Sequence, residues 1–173
     1  MNKKSVFLFA SIFLLILGGV IFFTPSKTVL AIYSRKNPEQ RVYSAQGYRD
    51  GFIISYTHSV NKGRVHDYYK CDLENRELVL QSTHFVSYGA GIPEPEETPG
   101  AEFTVLGDDY TISNINRRMQ KLVMAVGVIA DHSFAVNKAD IEELALKDFF
   151  KPQTSLIFEI KKVSIAGYLA HKI

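Results

Sequence analysis

The stretch from Phe52 to Val60 reads FIISYTHSV and indicates the fold class of this chain. Phe52, Ile54 and Tyr56 alternate with the residues between them, which is the period of two expected of a half-buried β-strand. The same alternation would place His58 on the face that carries Tyr56. We therefore predict one strand over Phe52–Val60.

Similar short segments, separated by turn residues, continue on both sides of this strand. The chain has 173 residues, enough for one domain of ordinary size. Regular short strands with turn signals predict an all-β domain, either a sandwich or a small barrel of short antiparallel strands. Residues 139–151 are expected to form a helix or an irregular edge segment. The other predicted strands are 28–34, 41–45, 65–72, 77–86, 102–106, 109–113, 121–129, 133–136, 154–161 and 164–170.

The N-terminal run Val6–Phe23 reads VFLFASIFLLILGGVIFF and is apolar throughout except for one serine. Eighteen residues at helical rise span about 27 Å, close to the hydrocarbon core of about 30 Å. A secretory signal has a shorter apolar region of about 7–15 residues. The length favours a retained signal-anchor. Cleavage is the alternative, because Val29-Leu30-Ala31 is acceptable as a signal-peptidase site. We divide the chain into a transmembrane segment, 1–27, and an extracytoplasmic β domain, 28–173.

The distribution of charge supports a membrane location. Three of the 20 Lys and Arg residues and none of the 18 Asp and Glu residues lie in residues 1–27. Lys3 and Lys4 are expected to stay in the cytoplasm, which sends the β domain across the membrane. The β domain is then near neutral, so the charge gives no support to nucleic-acid binding. The expected contact with the lipid bilayer is through residues 6–23.

The sequence contains no convincing catalytic or metal-binding motif. Cys71 is the only cysteine, which excludes an internal disulfide and a cysteine-based zinc cluster. The five histidines match no zinc spacing, so we expect no metal and no cofactor. Ser59, His58 and Asp67 supply the residue types of a catalytic triad, but neighbouring residues of one strand face opposite sides. We therefore expect no enzyme.

Two groups of residues are candidates for a site. The first is a polar core that is either structural or ligand-binding, because a buried His58 needs hydrogen-bond partners; its members are Tyr56, His58, Ser59, Asp67 and Tyr88. The second is a loop in which glycines permit close backbone approach, either to a ligand or at a sharp strand exit. Its residues are Ser87, Gly89, Gly91 and Pro93.

Three blocks carry a resemblance to a known family. They are Phe-x-x-x-Tyr-Thr-His-Ser-Val at 52–60, Val-x-Asp-x-Tyr at 65–69 and Phe-x-Ser-Tyr-Gly-Ala-Gly-Ile-Pro at 85–93. In this order and spacing they resemble the bacterial domain-of-unknown-function family 1850 (DUF1850). Members of that family are often encoded beside TAXI-type TRAP transporters. The family more often has Glu at the position of Asp67, and it has no established activity.

The apolar run and its lysines, together with the bacterial family that the chain resembles, lead us to expect a bacterial cytoplasmic-membrane protein with one span and an extracytoplasmic C-terminal domain. We expect a membrane-anchored accessory or binding module, associated with a TRAP permease or its solute-binding protein. One alternative is a small envelope enzyme that uses His58 and Asp67 as acid and base. The other is a purely structural envelope domain.

Overall fold

Residues 3–60, 62–86, 98–138 and 142–173 are described by the computed structural model of the chain. A long apolar helix is followed by twelve short strands and two short helices within these ranges. The elements are α1 (Lys3–Phe23), β1 (Lys27–Ser34), β2 (Arg41–Ser44), α2 (Ala45–Asp50), β3 (Phe52–Thr57), β4 (Arg64–Asp72), β5 (Glu77–Val86), β6 (Glu102–Leu106), β7 (Asp109–Ser113), β8 (Arg117–Met119), β9 (Leu122–Ala125), β10 (Ser133–Val136), β11 (Leu144–Ala145), β12 (Ser155–Val163) and α3 (Ile165–His171).

The strands form two antiparallel sheets, and the predicted all-β class is confirmed. The smaller sheet has the order β2-β1-β12-β9. The larger sheet has the order β11-β10-β3-β4-β5-β7-β6, and β8 pairs with β5 beside this path. The architecture is that of a sandwich, because side chains from both sheets meet in one core.

Aromatic side chains fill the space between the sheets. The Phe52 ring stacks on Tyr69 of its own sheet with centroids 4.9 Å apart, and on Phe158 of the other sheet at 6.0 Å. Phe52 and Phe158 have no exposed surface. Alternate residues of β3 therefore point inward, and the residues between them, such as Ser55, lie on the outer face of the larger sheet.

The helix α1 joins the sandwich at one end, which we call the helix end. β1 starts there, with Lys27 opposite Val163 in the register and the Ser26 N–H donating to the Val163 carbonyl at 3.1 Å. The 18 residues Val6–Phe23 have a mean hydropathy of 2.8 and none of them is buried. By length and composition this helix is able to cross a membrane.

The opposite end of the sandwich, which we call the turn end, carries several connections. There β1 finishes at Ser34, and β9 finishes at Ala125. The chain then crosses to the larger sheet, where the Ala130 carbonyl accepts the Thr57 N–H at 2.7 Å. The β3–β4 turn and the end of β5 at Val86 lie at this end too, since Val65 of β4 is paired with Phe85.

Several predicted boundaries differ from the structure. β3 stops at Thr57, because His58 and Gly63 close a turn through an N–H to carbonyl bond of 2.8 Å. The strand predicted at 121–129 is limited to Leu122–Ala125. The described residues of 139–151 form β11 and a single 3₁₀ turn, which is the irregular alternative.

Two short helices were not predicted. The expected strand over 164–170 is wrong, since Ile165–His171 is the helix α3, whose first turn is capped by the Ser164 hydroxyl accepting the Gly167 N–H at 3.0 Å. A serine cap of the same kind, Ser44 to the Gly47 N–H, starts α2. Such caps satisfy backbone donors at a helix start and favour helix locally.

Candidate functional site

The residues His58 and Ser59 lie in the β3–β4 turn at the turn end. The His58 ring accepts the backbone N–H of Val60 on Nδ1 at 3.3 Å. Ser59 is exposed, and its carbonyl accepts a hydrogen bond from Lys62 Nζ at 2.7 Å. These contacts stabilise the turn, and they place both residues away from the strand position that the alternation predicted.

Tyr56 and Asp67 lie together on the inner face of the larger sheet. Ile54 is paired with Asp67 and Tyr56 with Val65, so the phenol and the carboxyl are neighbours across β3 and β4. Burial raises the pKa of Tyr56 well above its usual range, and the negative charge of Asp67 raises it further. The structure therefore brings Tyr56 and Asp67 close to each other.

The carboxylate of Asp67 is poorly solvated. Burial raises its pKa to about 6, while a hydrogen bond from Thr83 and the charge of Arg117 act in the opposite direction. The Thr83 hydroxyl donates to Asp67 Oδ1 at 2.8 Å. A carboxyl in this setting has a pKa about two units above its ordinary value.

The remaining predicted residues lie outside the described part of the chain. These are Tyr88 of the polar core and the loop residues Ser87, Gly89, Gly91 and Pro93. Val86 is the last described residue before them, and it is paired with Asp109 at the turn end. Val86 thus lies at the same end of the sandwich as the turn that holds His58.

A second polar group, which the sequence did not single out, lies on the outer face of the larger sheet. We call it the outer cluster, and it consists of Ser55, Arg64, His66, Ser133 and Glu143. The register brings it together, because Ser55 of β3 is opposite His66 of β4 and opposite Ser133 of β10. Glu143 approaches from the segment just before β11.

The carboxylate of Glu143 is the centre of the outer cluster. Its Oε1 accepts the Ser55 hydroxyl at 2.9 Å, and its Oε2 accepts the Ser133 hydroxyl at 2.6 Å. Arg64 donates to Oε2 at 3.0 Å. Burial acts to raise the pKa of Glu143, but these three donors outweigh it and hold the pKa below its usual range.

The tautomer of a neutral His66 follows from this hydrogen bonding. The Ser55 hydroxyl lies 2.8 Å from His66 Nδ1, and its single proton goes to the Glu143 carboxylate, which can only accept. The Ser55 oxygen must then accept Nδ1–H, which leaves the Nε2 lone pair of a neutral His66 directed away from Ser55. Burial lowers the pKa of His66 and favours the neutral ring.

The outer cluster resembles a catalytic triad only in composition. Ser55 has 1% of its surface exposed, and its hydroxyl is engaged by both His66 and Glu143. A nucleophile must reach the substrate, so this serine is a structural hydroxyl. Among the described residues, no group of three or more His, Cys, Asp or Glu side chains is arranged to hold a metal ion.

Part of the outer cluster left a signal in the sequence. The period of two that assigns Tyr56 to the inner face assigns Ser55 to the outer face, and it assigns His66 and Asp67 to opposite faces. Glu143 left no such signal, since it comes from a segment without clear periodicity.

The fold and the site define a two-sheet β domain that carries an N-terminal apolar helix and a polar cluster on its outer face. Residues 52–142 match the model of the family described as Domain of unknown function (DUF1850). The chain therefore belongs to the DUF1850 family, and the resemblance seen in the sequence is confirmed. No curated protein and no solved structure matches the chain.

Proposed function

We propose that this protein is a membrane-anchored extracytoplasmic binding or accessory module that serves a TAXI-type TRAP solute transporter. The exposed apolar helix α1 supports a retained single-pass anchor in a bacterial cytoplasmic membrane. Lys3 and Lys4, which precede the apolar span Val6–Phe23, support a cytoplasmic N-terminus. The link to a transporter rests on the family resemblance.

The observation that carries the proposal is the separation of the anchor from the family's motif residues. α1 enters at the helix end, whereas His58 and Ser59 occupy the turn end. The eight residues of β1 connect the two ends, and at about 3.3 Å per residue they span roughly 26 Å. The motif turn is then held well above the membrane, within reach of a soluble protein. Of the two expected partners, the solute-binding protein fits this position better than the permease.

The contacts of His58 and Asp67 support a binding module over an acid–base enzyme. His58 lies in a turn with its ring against the Val60 N–H, and Asp67 lies on the inner face with Thr83 as its described donor. A general acid and base must both reach one substrate. These two side chains belong to different environments.

Site-specific photo-crosslinking tests the partner and the surface together. A photoreactive amino acid replaces Val60 at the turn end, and Leu73 provides the matched control in the β4–β5 turn near the helix end. Both are exposed apolar residues, with 65% and 55% of their surface accessible. We expect capture of the solute-binding protein from Val60 and not from Leu73. Recovery of no transporter component from Val60 would contradict the proposed partner.

The membrane topology is tested with single cysteines in a Cys71→Ala background. Ser59→Cys lies in the exposed β3–β4 turn, and Asn2→Cys lies before the helix in the sequence. With a membrane-impermeant maleimide, we expect labelling of Ser59→Cys in intact spheroplasts and of Asn2→Cys only after permeabilisation. The reverse pattern would place the β domain in the cytoplasm and refute the proposal.

A further inference from the structure

The helix end of the sandwich combines cationic and apolar side chains around the exit of α1. A shallow cavity of about 230 Å³ lies between the two sheets at this end. Thr28 and Lys162 line it from the smaller sheet, and Leu73 and Arg76 line it from the β4–β5 turn. The β4–β5 turn is thus placed beside the start of β1, where the chain leaves α1.

Positive charge dominates this end. Lys27 is the first residue of β1, and its Nζ lies 4.3 Å from the centre of the Tyr168 ring in α3. Arg76 and Lys162 add two more cations. The acids at the β4–β5 turn are Glu74 and Asp72, and the charge of Asp72 is balanced by Arg118 at 2.6 Å.

The charge of another acid near this end, Glu159, is balanced as well. Glu159 lies 2.7 Å from Lys161 Nζ and 3.1 Å from Lys121 Nζ, so its charge does not offset the cations around the cavity. Hydrogen bonds from Lys161, Tyr33 and Lys121 outweigh its burial and lower the pKa of Glu159, which keeps it ionised. The surface around the exit of α1 therefore has a net positive charge.

Exposed apolar residues surround the same exit. Leu73, the first residue of the β4–β5 turn, is 55% exposed, and Leu169 of α3 is 51% exposed. Phe23, the last residue of α1, is 69% exposed. An apolar and aromatic surface mixed with lysine and arginine is typical of protein that lies at a membrane interface.

We propose that the helix end binds the bilayer surface, with Lys27, Arg76 and Lys162 on anionic lipid headgroups and Leu73 and Leu169 inserted among them. The inference rests on the proposed anchoring by α1 and extends it from the helix to the β domain. The surface is continuous with α1, and its charge is complementary to an anionic membrane. The domain then stands upright, with the turn end directed away from the membrane.

The absence of tryptophan from the sequence makes a direct test possible. Leu73→Trp places a single fluorophore at the helix end, and Val60→Trp is the control at the turn end. Each full-length variant is reconstituted into vesicles of phosphatidylcholine, with or without phosphatidylglycerol, that contain brominated acyl chains. We expect blue-shifted emission and bromine quenching of Leu73→Trp, stronger with phosphatidylglycerol. We expect no quenching of Val60→Trp.

Charge variants separate lipid binding from simple proximity. In the Leu73→Trp chain, Arg76→Gln with Lys162→Gln should weaken the dependence on phosphatidylglycerol at least twofold, because only Lys27 of the three proposed cations remains. Lys151→Gln, an exposed lysine near the turn end, should leave that dependence unchanged. The role of the cations would be overturned if the double variant and Lys151→Gln had equal effects. It would also be overturned if the emission of Leu73→Trp did not depend on phosphatidylglycerol.

Flotation of the same vesicles distinguishes failure of this inference from failure of the anchor. If the chain does not float with the vesicles, α1 is not an anchor, and both the proposed anchoring and the proposed lipid-binding surface are refuted. If the chain floats and Leu73→Trp is quenched no more than Val60→Trp, the anchor stands and the lipid-binding surface does not.

Discussion

Asp67 and Glu143 are carboxylates on opposite faces of the larger sheet, and their surroundings shift their pKa values in opposite directions. Asp67 lies on the inner face beside aromatic rings, and burial raises its pKa to about 6. Glu143 lies on the outer face, where burial also acts to raise the pKa but hydrogen bonds lower it.

The difference shows that the number of donors, together with solvation, decides whether a carboxylate is stable in its charged form. Among the described residues, Asp67 accepts one side-chain hydrogen bond, from Thr83, whereas Glu143 accepts from two serines and Arg64. Hydrogen bonds to the ionised form favour it, and desolvation disfavours it. Ionisation therefore costs stability at Asp67 and adds stability at Glu143.

The largest expected effect is a pH dependence that belongs to Asp67. Its pKa in the folded protein is about 6, above the ordinary value of 3.8. A raised acid pKa stabilises the fold at low pH, and this contribution is lost as pH rises through about 6. Between pH 4 and pH 8 the loss amounts to about 2 kcal/mol. Urea denaturation of the full chain and of Asp67→Asn in detergent measures it.

The comparison of the wild-type chain with Asp67→Asn isolates the contribution of the Asp67 carboxyl. Burial lowers the pKa values of His66 and His132, so these rings destabilise the fold as pH falls, in both proteins alike. The unfolding free energy of Asp67→Asn relative to wild type should rise by about 2 kcal/mol from pH 4 to pH 8. Parallel pH profiles would show that Asp67 is solvated in the folded state.

A smaller effect is expected when the outer carboxylate is removed. Glu143→Ala takes away the acceptor of the Ser55 and Ser133 hydroxyls and the ionic partner of Arg64. Because both serines are buried but Glu143 is itself partly exposed, we expect a loss of about 1.5 kcal/mol in unfolding free energy. Glu142→Ala, at the exposed neighbouring position, is the matched control and should change little. Equal losses would show that the cluster contributes no stability.

The smallest effect is expected from the donor to Asp67. Thr83→Val removes the hydroxyl while keeping the shape of the side chain, so the pKa of Asp67 should rise further above 6. We expect a loss of about 1 kcal/mol at pH 8, where Asp67 is ionised, and almost none at pH 4. Carboxyl chemical shifts during a pH titration measure the pKa directly. A lower pKa in the variant would mean that Thr83 does not stabilise the ionised carboxylate.

Much of the strand pattern was predictable because alternation is a local property. The strands Glu77–Val86, Glu102–Leu106, Asp109–Ser113 and Ser133–Val136 were predicted with the bounds that the structure shows. Each is a short run between strong turn residues. The two short helices were missed because six or seven residues give no clear helical period, and only their serine caps mark them.

The candidate site was less predictable. Tyr56 and Asp67 were chosen as members of one polar core, and the structure does place them side by side. His58 was assigned to the same face, but the strand ends one residue before it. The outer cluster was not found, because it depends on Glu143, which is 88 residues from Ser55 in the sequence.

The sequence by itself determined the apolar helix, the all-β class, the family and most of the strands. These follow from local periodicity, turn chemistry and motif spacing, which need no knowledge of what each segment touches. The tertiary structure decided which carboxylate is stable as an anion, and it decided that the motif turn and the helix lie at opposite ends. Both depend on the register of strands that are distant in the sequence, and no local pattern encodes that register.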